Sequence, residues 1–283
     1  MLGLEISDSA VRAVAAVQRK QGWQCLATSE MAKIDGAEFE VGTAIKQCVS
    51  EILPILPRKR QSLVVTLSAG HIHAQKVSVP GALDDREVLA YLSAPGVLDC
   101  LPESPALFSL DFVRTRLQQS SDHCDLLVFA ARRAEIERQF QYFSGLPWAP
   151  AVVDCEAIAL QRAFAWQCRS ELPDIFLHCR SDSVSLHVFD SMSLVFSRQF
   201  PVAGSVVSPL DVKRALQVLS VTATLPAEPS IAVSGDYGSK AALGNLLQGL
   251  GLQTVFFPDP RHAVAAGAAI RKGINGSERS YVD

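Results

Sequence analysis

The sequence is poor in several things, and each lack closes off a class of function. Its 26 Lys and Arg stand against 29 Asp and Glu, a formal charge of −3, so the basic excess that a nucleic-acid binder gathers on one face is missing. No apolar run approaches the roughly 18 residues of a membrane span. The longest, Ala263 to Ile270, is short and rich in alanine. Met1-Leu2-Gly3-Leu4 is followed by Glu5 and Asp8, which is not the pattern of a secretory leader, and the expectation is a soluble, cytoplasmic protein without direct membrane insertion. The seven cysteines make no C-x-x-C pair and have no histidines at zinc spacing, so they are read as small buried hydrophobes in a reducing compartment. Among the histidines only His71 and His73 lie close, alternating on a strand and sharing one face; with no third ligand they are read as a surface pair, and no metal is expected. There is no G-x-x-x-x-G-K-S/T loop, no G-x-S-x-G elbow and no H-E-x-x-H helix. Arg58-Lys59-Arg60, the one dense basic run, is read as a solvated turn after Pro57, with a membrane or partner contact as the alternative.

What is present is enough apolar residue, 48% of 283 positions, to fill one large core or two medium ones. Leu2 to Ile6, Ala10 to Val17 and Trp23 to Met31 read as a meander of strands, the first two joined by the polar turn Ser7-Asp8-Ser9. A helix follows from Glu40 to Leu53, stopped by Pro54 and Pro57, and then a Val-rich strand from Ser62 to Leu67. From His71 the pattern changes: strands at His71 to Val79, Phe108 to Leu117 and Leu126 to Ala131, a helix from Asp84 to Leu92 with Asp84 and Glu87 as a capping box, and a closing helix from Arg133 to Phe143.

At Ala149 to Phe164 a short strand feeds a helix, and beyond it the order of elements starts again. Strands at Ile175 to Cys179, Val184 to Phe189 and Leu194 to Phe200 precede a helix from Leu210 that Pro209 can open. A strand at Ser230 to Val233, a helix at Ala241 to Leu250, a strand at Gln253 to Phe257 and a last segment, Arg261 to Lys272, complete the chain. A pattern that restarts halfway predicts two related lobes around a cleft, with the stretch from 149 to 164 as the hinge. Asp154 and Glu156 of that hinge are read as caps and packing partners of its helix.

The element order, Val152-Val153-Asp154-Cys155-Glu156-Ala157-Ile158-Ala159-Leu160-Gln161-Arg162-Ala163 at the hinge and His262-Ala263-Val264-Ala265-Ala266-Gly267-Ala268-Ala269-Ile270-Arg271 near the end together resemble the type IV pilus assembly protein PilM family, in particular its short HofM-like branch. The resemblance implies an α/β, actin-like ATPase (ribonuclease H-like) fold. Its expected parts are a first lobe from 1–70 and 144–170, an inserted α+β module from 71–143, and a reduced second lobe from 171–283, truncated at about 205–229.

The resemblance also locates the nucleotide motifs, and they are degraded. Where active relatives carry Asp-x-Gly-Ser/Thr, the first phosphate turn here has Glu5, Ser7, Asp8 and Ser9. The glycine is gone, and a carboxylate at Asp8 about 4 Å from a phosphate would repel it by roughly 4 kcal/mol at an effective dielectric of 20. The second turn reads His178-Cys179-Arg180-Ser181, with Arg180 in place of a glycine and expected to fill the space; the adenosine-side loop keeps Ser234, Gly235 and Gly238.

ATP turnover needs a held metal, a charge-stabilising nest and a positioned water together, so no catalytic residues and no cofactor are expected, ATP with magnesium being the alternative. The function implied is a non-catalytic adaptor, peripheral at the inner membrane, that takes the cytoplasmic tail of a PilN-like membrane protein and contacts the pilus motor ATPases, in pilus assembly or DNA uptake. The walls of its groove are expected at His71, Ile72, His73, Val77, Val79, Leu127, Val128 and Phe129, with apolar side chains exposed to an extended peptide. Two alternatives stand beside it: a working actin-like ATPase or kinase, and a type II secretion platform component of the GspL kind. Those last chains continue into a membrane helix, whereas here a polar segment, Gly273 to Asp283, follows.

Overall fold

The computed structural model describes residues 1–7, 9–32, 40–57, 62–114, 122–168, 171–190, 193–203, 207–222, 228–237 and 240–271. Asp8, the run from Arg58 to Arg60, Gly238, the last residues from 272 and parts of the 205–229 stretch lie outside these.

The chain lays down the same unit twice. In the first lobe β1 (Leu2–Ile6), β2 (Ala10–Arg19) and β3 (Gly22–Ala32) form an antiparallel meander; β4 (Leu63–Leu67) lies parallel to β1, and β8 (Val152–Cys155) parallel to β4. The sheet order is β3-β2-β1-β4-β8. In the second lobe β9 (Ile175–Cys179), β10 (Ser183–Asp190) and β11 (Ser193–Pro201) form the meander, with β12 (Ser230–Gly235) and β13 (Gln253–Phe256) added in parallel, giving β11-β10-β9-β12-β13. The helices α1 (Val41–Ile52), α3 (Arg133–Gln141) and α4 (Glu156–Gln167) of the first lobe correspond in order to α5 (Pro209–Thr222), α6 (Lys240–Gly249) and α7 (Ala263–Ala269) of the second.

Between β4 and α3 sit β5 (Ile72–Pro80), α2 (Asp85–Leu92), β6 (Phe108–Arg114) and β7 (His123–Arg132), the strands forming a separate sheet ordered β5-β7-β6. In this order α3 stands where α6 stands in the second lobe; it follows β7 directly, and Arg133 at its start donates to the Phe108 carbonyl of β6 at 3.2 Å. Asp84 caps α2 through the backbone N–H groups of Arg86 and Glu87, and the Glu87 carboxylate accepts from the Asp84 N–H at 2.8 Å, a complete capping box.

Period-two alternation decides which core each strand residue joins. On β2, Val11, Ala13, Ala15 and Val17 point to α1, while Val14 and Ala16 point to the core between the lobes. On β9, β10 and β12 the residues Ile175, Leu177, Val184, Leu186, Ile231 and Val233 fill the second lobe's own core, while Phe176, Phe189 and Ala232 face the first lobe.

Each lobe's last helix then crosses to its neighbour. Phe164 of α4 meets Phe176 of β9 edge to face at 5.7 Å and Phe257 at 5.5 Å, and α7 packs on β1, β2 and β4. The two helices touch backbone to backbone: a Cβ on Gly267 would lie 1.7 Å from the Ala159 carbonyl oxygen, so only glycine permits this crossing. The stretch from 149 to 164 is therefore a joint with a large apolar core of its own.

Two expectations need correction. Cys25 and Cys100 are exposed and Cys124, Cys155 and Cys168 half-buried, leaving only Cys48 and Cys179 as fully buried hydrophobes; all seven are free thiols. Cys25 lies on an edge strand and Cys100 in a loop, where no neighbour covers them. Asp154 and Glu156 do not cap α4 either: the N-cap is Cys155, with no side-chain bond. Asp154 instead ion-pairs with Arg162 of α4 and with Arg271, and Glu156 turns toward the other lobe.

Candidate functional site

The same alternation that builds the apolar core between the lobes also sets polar residues into it, in two facing rows. Across the first sheet the strand register aligns Glu30, Arg12, Glu5, Thr66 and Asp154, one residue from each of the five strands. Across the second it aligns Gln199, Ser185, His178 and Ser234. Both rows lie toward the carboxyl ends of the parallel strands, the end at which open α/β sheets bind ligands.

Between the rows the side chains close on one another. Glu5 accepts at a single oxygen, Oε1, from Arg180 Nε at 3.0 Å and from His178 Nε2 at 2.9 Å. Because a carboxylate can only accept, His178 carries its hydrogen on Nε2 there, and its Nδ1 meets Ser234 Oγ at 2.8 Å. The Arg180 fork continues to the Glu156 carboxylate through Nη2 and to Ser185 Oγ at 3.2 Å through Nη1. Glu156 also accepts from His187 Nε2 at 3.0 Å, and His187 Nδ1 meets Ser197 Oγ at 3.0 Å. An outer tier follows toward solvent: Arg12 pairs with Asp236 and with Glu30 at 3.0 Å, and Arg261 pairs with Asp236 at 3.3 Å and Glu30 at 3.6 Å. Glu5, Glu156, His178, His187, Arg12 and Arg180 are all buried.

Burial opposes the charge on Glu5, but His178 and Arg180 outweigh it and hold the carboxyl at about 2. Burial likewise opposes ionisation of Glu156, and Arg180 and His187 push it well below the ordinary carboxylate range. Arg180 is held firmly in its charged form by the two carboxylates against the same desolvation. Glu5, Glu156 and Arg180 are thus charged at neutral pH, with Glu5 Oε2 buried and without a hydrogen-bond donor among the described residues.

The residues expected to face phosphates are engaged internally. Ser7 closes the β1–β2 turn on itself: its Oγ accepts from the Ala10 N–H at 3.0 Å, and Ser9 Oγ lies 3.3 Å away. Ser181 sits in the turn that Arg180 N–H closes onto the Ser183 carbonyl at 2.7 Å. Gly235, at φ 91°, lets β12 press against the end of β9, where a Cβ would lie 2.0 Å from the Cys179 oxygen. Glu5, Arg180 and Ser234 come together; Ser7, Ser9 and Ser181 stay out of the cluster, and Asp8 and Gly238 lie outside the described residues. A polyphosphate in this corner would have to displace Arg180 from both carboxylates and then lie against Glu5 and Glu156, so these residues do not fit one.

Arg12, His187, Asp236 and Arg261 were not among the expected site residues. For two of them a signal was available: Arg12 interrupts Ala10-Val11-Arg12-Ala13-Val14, and His187 interrupts Ser185-Leu186-His187-Val188, each at a position whose alternation buries it; Asp236 and Arg261 lie in loops without one.

The expected groove walls need a further correction. Val79 and Val128 belong to the module's own core under α2, Leu127 to the core between the lobes, and Ile72 is buried, so none offers an exposed apolar side chain. The reason is that one face of the β5-β7-β6 sheet packs under α2, while on the other Leu127 packs into the core between the lobes and the surface stays open at polar positions such as Lys76, Ser109 and Asp111. His71, His73, Val77 and Phe129 remain partly exposed; His71 sits 3.4 Å from Glu135, and His73 stands edge-on to Phe108 at 5.7 Å. Among the described residues no group of side chains could hold a metal ion.

The family model of the type IV pilus assembly protein PilM matches residues 3–207, which span the first lobe, the module and the second meander. The chain belongs to the PilM family. A search of curated protein sequences returns no match. Among solved structures, a PilM–PilN type IV pilus biogenesis complex superposes with a TM-score of 0.71 at 19% identity, over 95% of this chain and 97% of that one. The cytoplasmic domain of EpsL, an inner membrane component of the type II secretion system of Vibrio cholerae, gives 0.57 at 11% identity over 96% and 95%. The ethanolamine utilization protein EutJ of Carboxydothermus hydrogenoformans gives 0.52 at 9% over 95% and 88%. The PilM-family chain thus has the actin-like ATPase fold, with lobes on mixed sheets and a module inserted in the first.

Proposed function

We propose that the chain is a non-catalytic adaptor in the inner-membrane assembly platform of a type IV or DNA-uptake pilus, and that it binds the cytoplasmic tail of a PilN-like membrane protein. The observation that carries the non-catalytic part is Arg180, a buried side chain clamped between Glu5 and Glu156 where the fold would otherwise offer glycine backbone to phosphate. Family membership supports the pilus role, and the shared fold with a PilM–PilN complex supports a PilN-like partner. The HofM-like branch and contact with motor ATPases belong to the same reading.

No helix among the described residues is long and apolar enough to cross a membrane, so in this reading the partner supplies the attachment, at the cytoplasmic face. The wall residues that stay in the proposal are His71, His73, Val77 and Phe129; His73 and Val77 share the α2 face of the module's sheet, and Phe129, opposite Ala74, lies on the other face. An extended tail would gain its affinity there from main-chain pairing and side-chain pockets.

A peptide copying the partner's cytoplasmic tail, titrated into the full chain, is expected to bind in the micromolar range. Its failure to bind at high micromolar concentration sinks the adaptor reading. A parallel titration with magnesium-ATP is expected to give no heat; stoichiometric heat would return the ATPase or kinase alternative.

A further inference from the structure

We infer that Arg180, Glu5 and Glu156 form an internal tie that holds the two lobes closed across the corner where a nucleotide's phosphates would bridge them. The three residues come from separate places: Glu5 from the central strand of the first lobe, Glu156 from the start of the helix that leaves it, and Arg180 from the first turn of the second lobe. Every hydrogen bond these two carboxylates accept crosses from lobe to lobe, from Arg180 to both, His178 to Glu5 and His187 to Glu156, while the looser Arg12–Glu5 ion pair at 3.8 Å stays within the first lobe. The outer tier crosses as well, through Arg12 to Asp236 and Arg261 to Glu30. A third crossing lies at the module's root, where the Gly70 N–H donates to Gln199 Oε1 of β11 at 2.9 Å.

The chemistry explains why arginine is the residue used. Its planar fork presents donors in three directions, here taken by Glu5, Ser185 and Glu156, so it fixes direction as well as charge. A bound polyphosphate would join the lobes through an anion held by backbone N–H groups. Here the sign is inverted: the lobes carry the anions, and the chain carries the cation that joins them. The closed arrangement therefore needs no ligand, and the lobes do not respond to nucleotide. This goes beyond the adaptor reading, and its test does not depend on tail binding.

The test is amide hydrogen exchange on the full chain with Arg180→Gly, Arg180→Lys and the neutral triple variant Glu5→Gln/Glu156→Gln/Arg180→Met. The tie predicts that Arg180→Gly speeds exchange at least tenfold in cleft-facing segments of both lobes at once, β1 and β2 as well as β9 and β12, while α1 and α6 keep their protection. Guanidinium ion, far below denaturing concentration, is expected to restore that protection where the same concentration of sodium chloride does not. Arg180→Lys, which keeps the charge and loses the fork, is expected to fall between. Should Arg180→Gly fail to fold, the triple variant, which leaves no buried charge orphaned among the three, carries the test with the same expected two-lobe loss of protection. Exchange that is unchanged, or raised only beside residue 180, or equal effects of guanidinium and sodium chloride, would overturn the tie.

Discussion

The crossing of α4 and α7 offers the sharpest quantitative test of how the lobes are joined. In Gly267→Ala the new Cβ would start 1.7 Å from the Ala159 oxygen and 2.4 Å from its carbonyl carbon. A carbon and a carbonyl oxygen need roughly 3.3 Å, so the helices would have to part by on the order of 1.5 Å. Both clashing partners are backbone, and no side-chain rotation can relieve them. Overpacking of this kind costs about 1–3 kcal/mol and sometimes more. The gain from replacing glycine in a helix, up to about 1 kcal/mol, offsets part of it. Separation would also lengthen the 3.1 Å bond from Arg162 Nε to the Gly267 carbonyl. The net expectation is a loss of about 1–2 kcal/mol, or a midpoint lower by roughly 2–6 °C for a chain of this size. Gly244→Ala is the control, since its Cβ would find nothing nearer than the Phe256 ring at 4.0 Å. It should be neutral or stabilising by up to about 1 kcal/mol. Thermal and urea unfolding followed by circular dichroism reads both. A Gly267→Ala protein as stable as the parent would refute the close crossing on which the joint depends.

Acid should act through the buried carboxylates. Glu5 is held near 2 against an ordinary 4.5, so its contribution is complete above about pH 4.5 and drains away as pH falls toward 2. The amount is of order 3 kcal/mol. Unfolding midpoints between pH 5 and 2 should therefore drop steeply in the parent and less steeply in Glu5→Gln; equal slopes would count against the pairing. Thiol labelling should be biphasic: Cys25 and Cys100 react quickly, whereas Cys48 and Cys179 wait for unfolding, burial pushing the Cys179 thiol up to about 12. Cys179 labelling as fast as Cys25, mapped by mass spectrometry, would show that the end of β9 is open. Asp84→Ala removes both bonds of its carboxylate to the first turn of α2 and should cost about 1 kcal/mol, with faster amide exchange confined to that helix.

The fold was largely legible because its strands and helices declare their period. Met1 to Met31 shows three strands at correct spacing, and the capping box at Asp84 and Glu87 is purely local, so both could be read without tertiary knowledge. The groove was harder. Leu127, Val128 and Val79 look like any half-buried strand, and only the packing of α2 on one face and of the lobes around Leu127 on the other decides that all three are buried. The charged cluster was legible in part. Arg180 stood out because a glycine was expected there, but its partners Glu5 and Glu156 lie 175 and 24 residues away, a separation that no local pattern spans. Of the overlooked members, Arg12 and His187 were marked only by being polar at positions where the alternation demands burial, whereas Asp236 and Arg261 lie in loops and carry no local mark.

That rule also bears on why the corner is filled with charge and not with leucine. Replacing a buried ion-pair network by well-packed apolar residues is commonly neutral or stabilising, by about 1–4 kcal/mol, so stability alone does not account for Glu5, Arg180 and Glu156. Their neighbour is an apolar core of Phe164, Phe176, Phe257 and many alanines, which holds the lobes together with little directional preference. A guanidinium between two carboxylates supplies the direction that core lacks, because its bonds form at one lobe orientation and are lost on a small rotation. The neutral triple variant separates the two roles. It should unfold at the parent's midpoint or above while its cleft amides exchange faster, a protein no less stable but less fixed in the angle between its lobes. A triple variant that lost stability and kept its cleft protection would assign the cluster to holding the fold up and not to aiming its lobes.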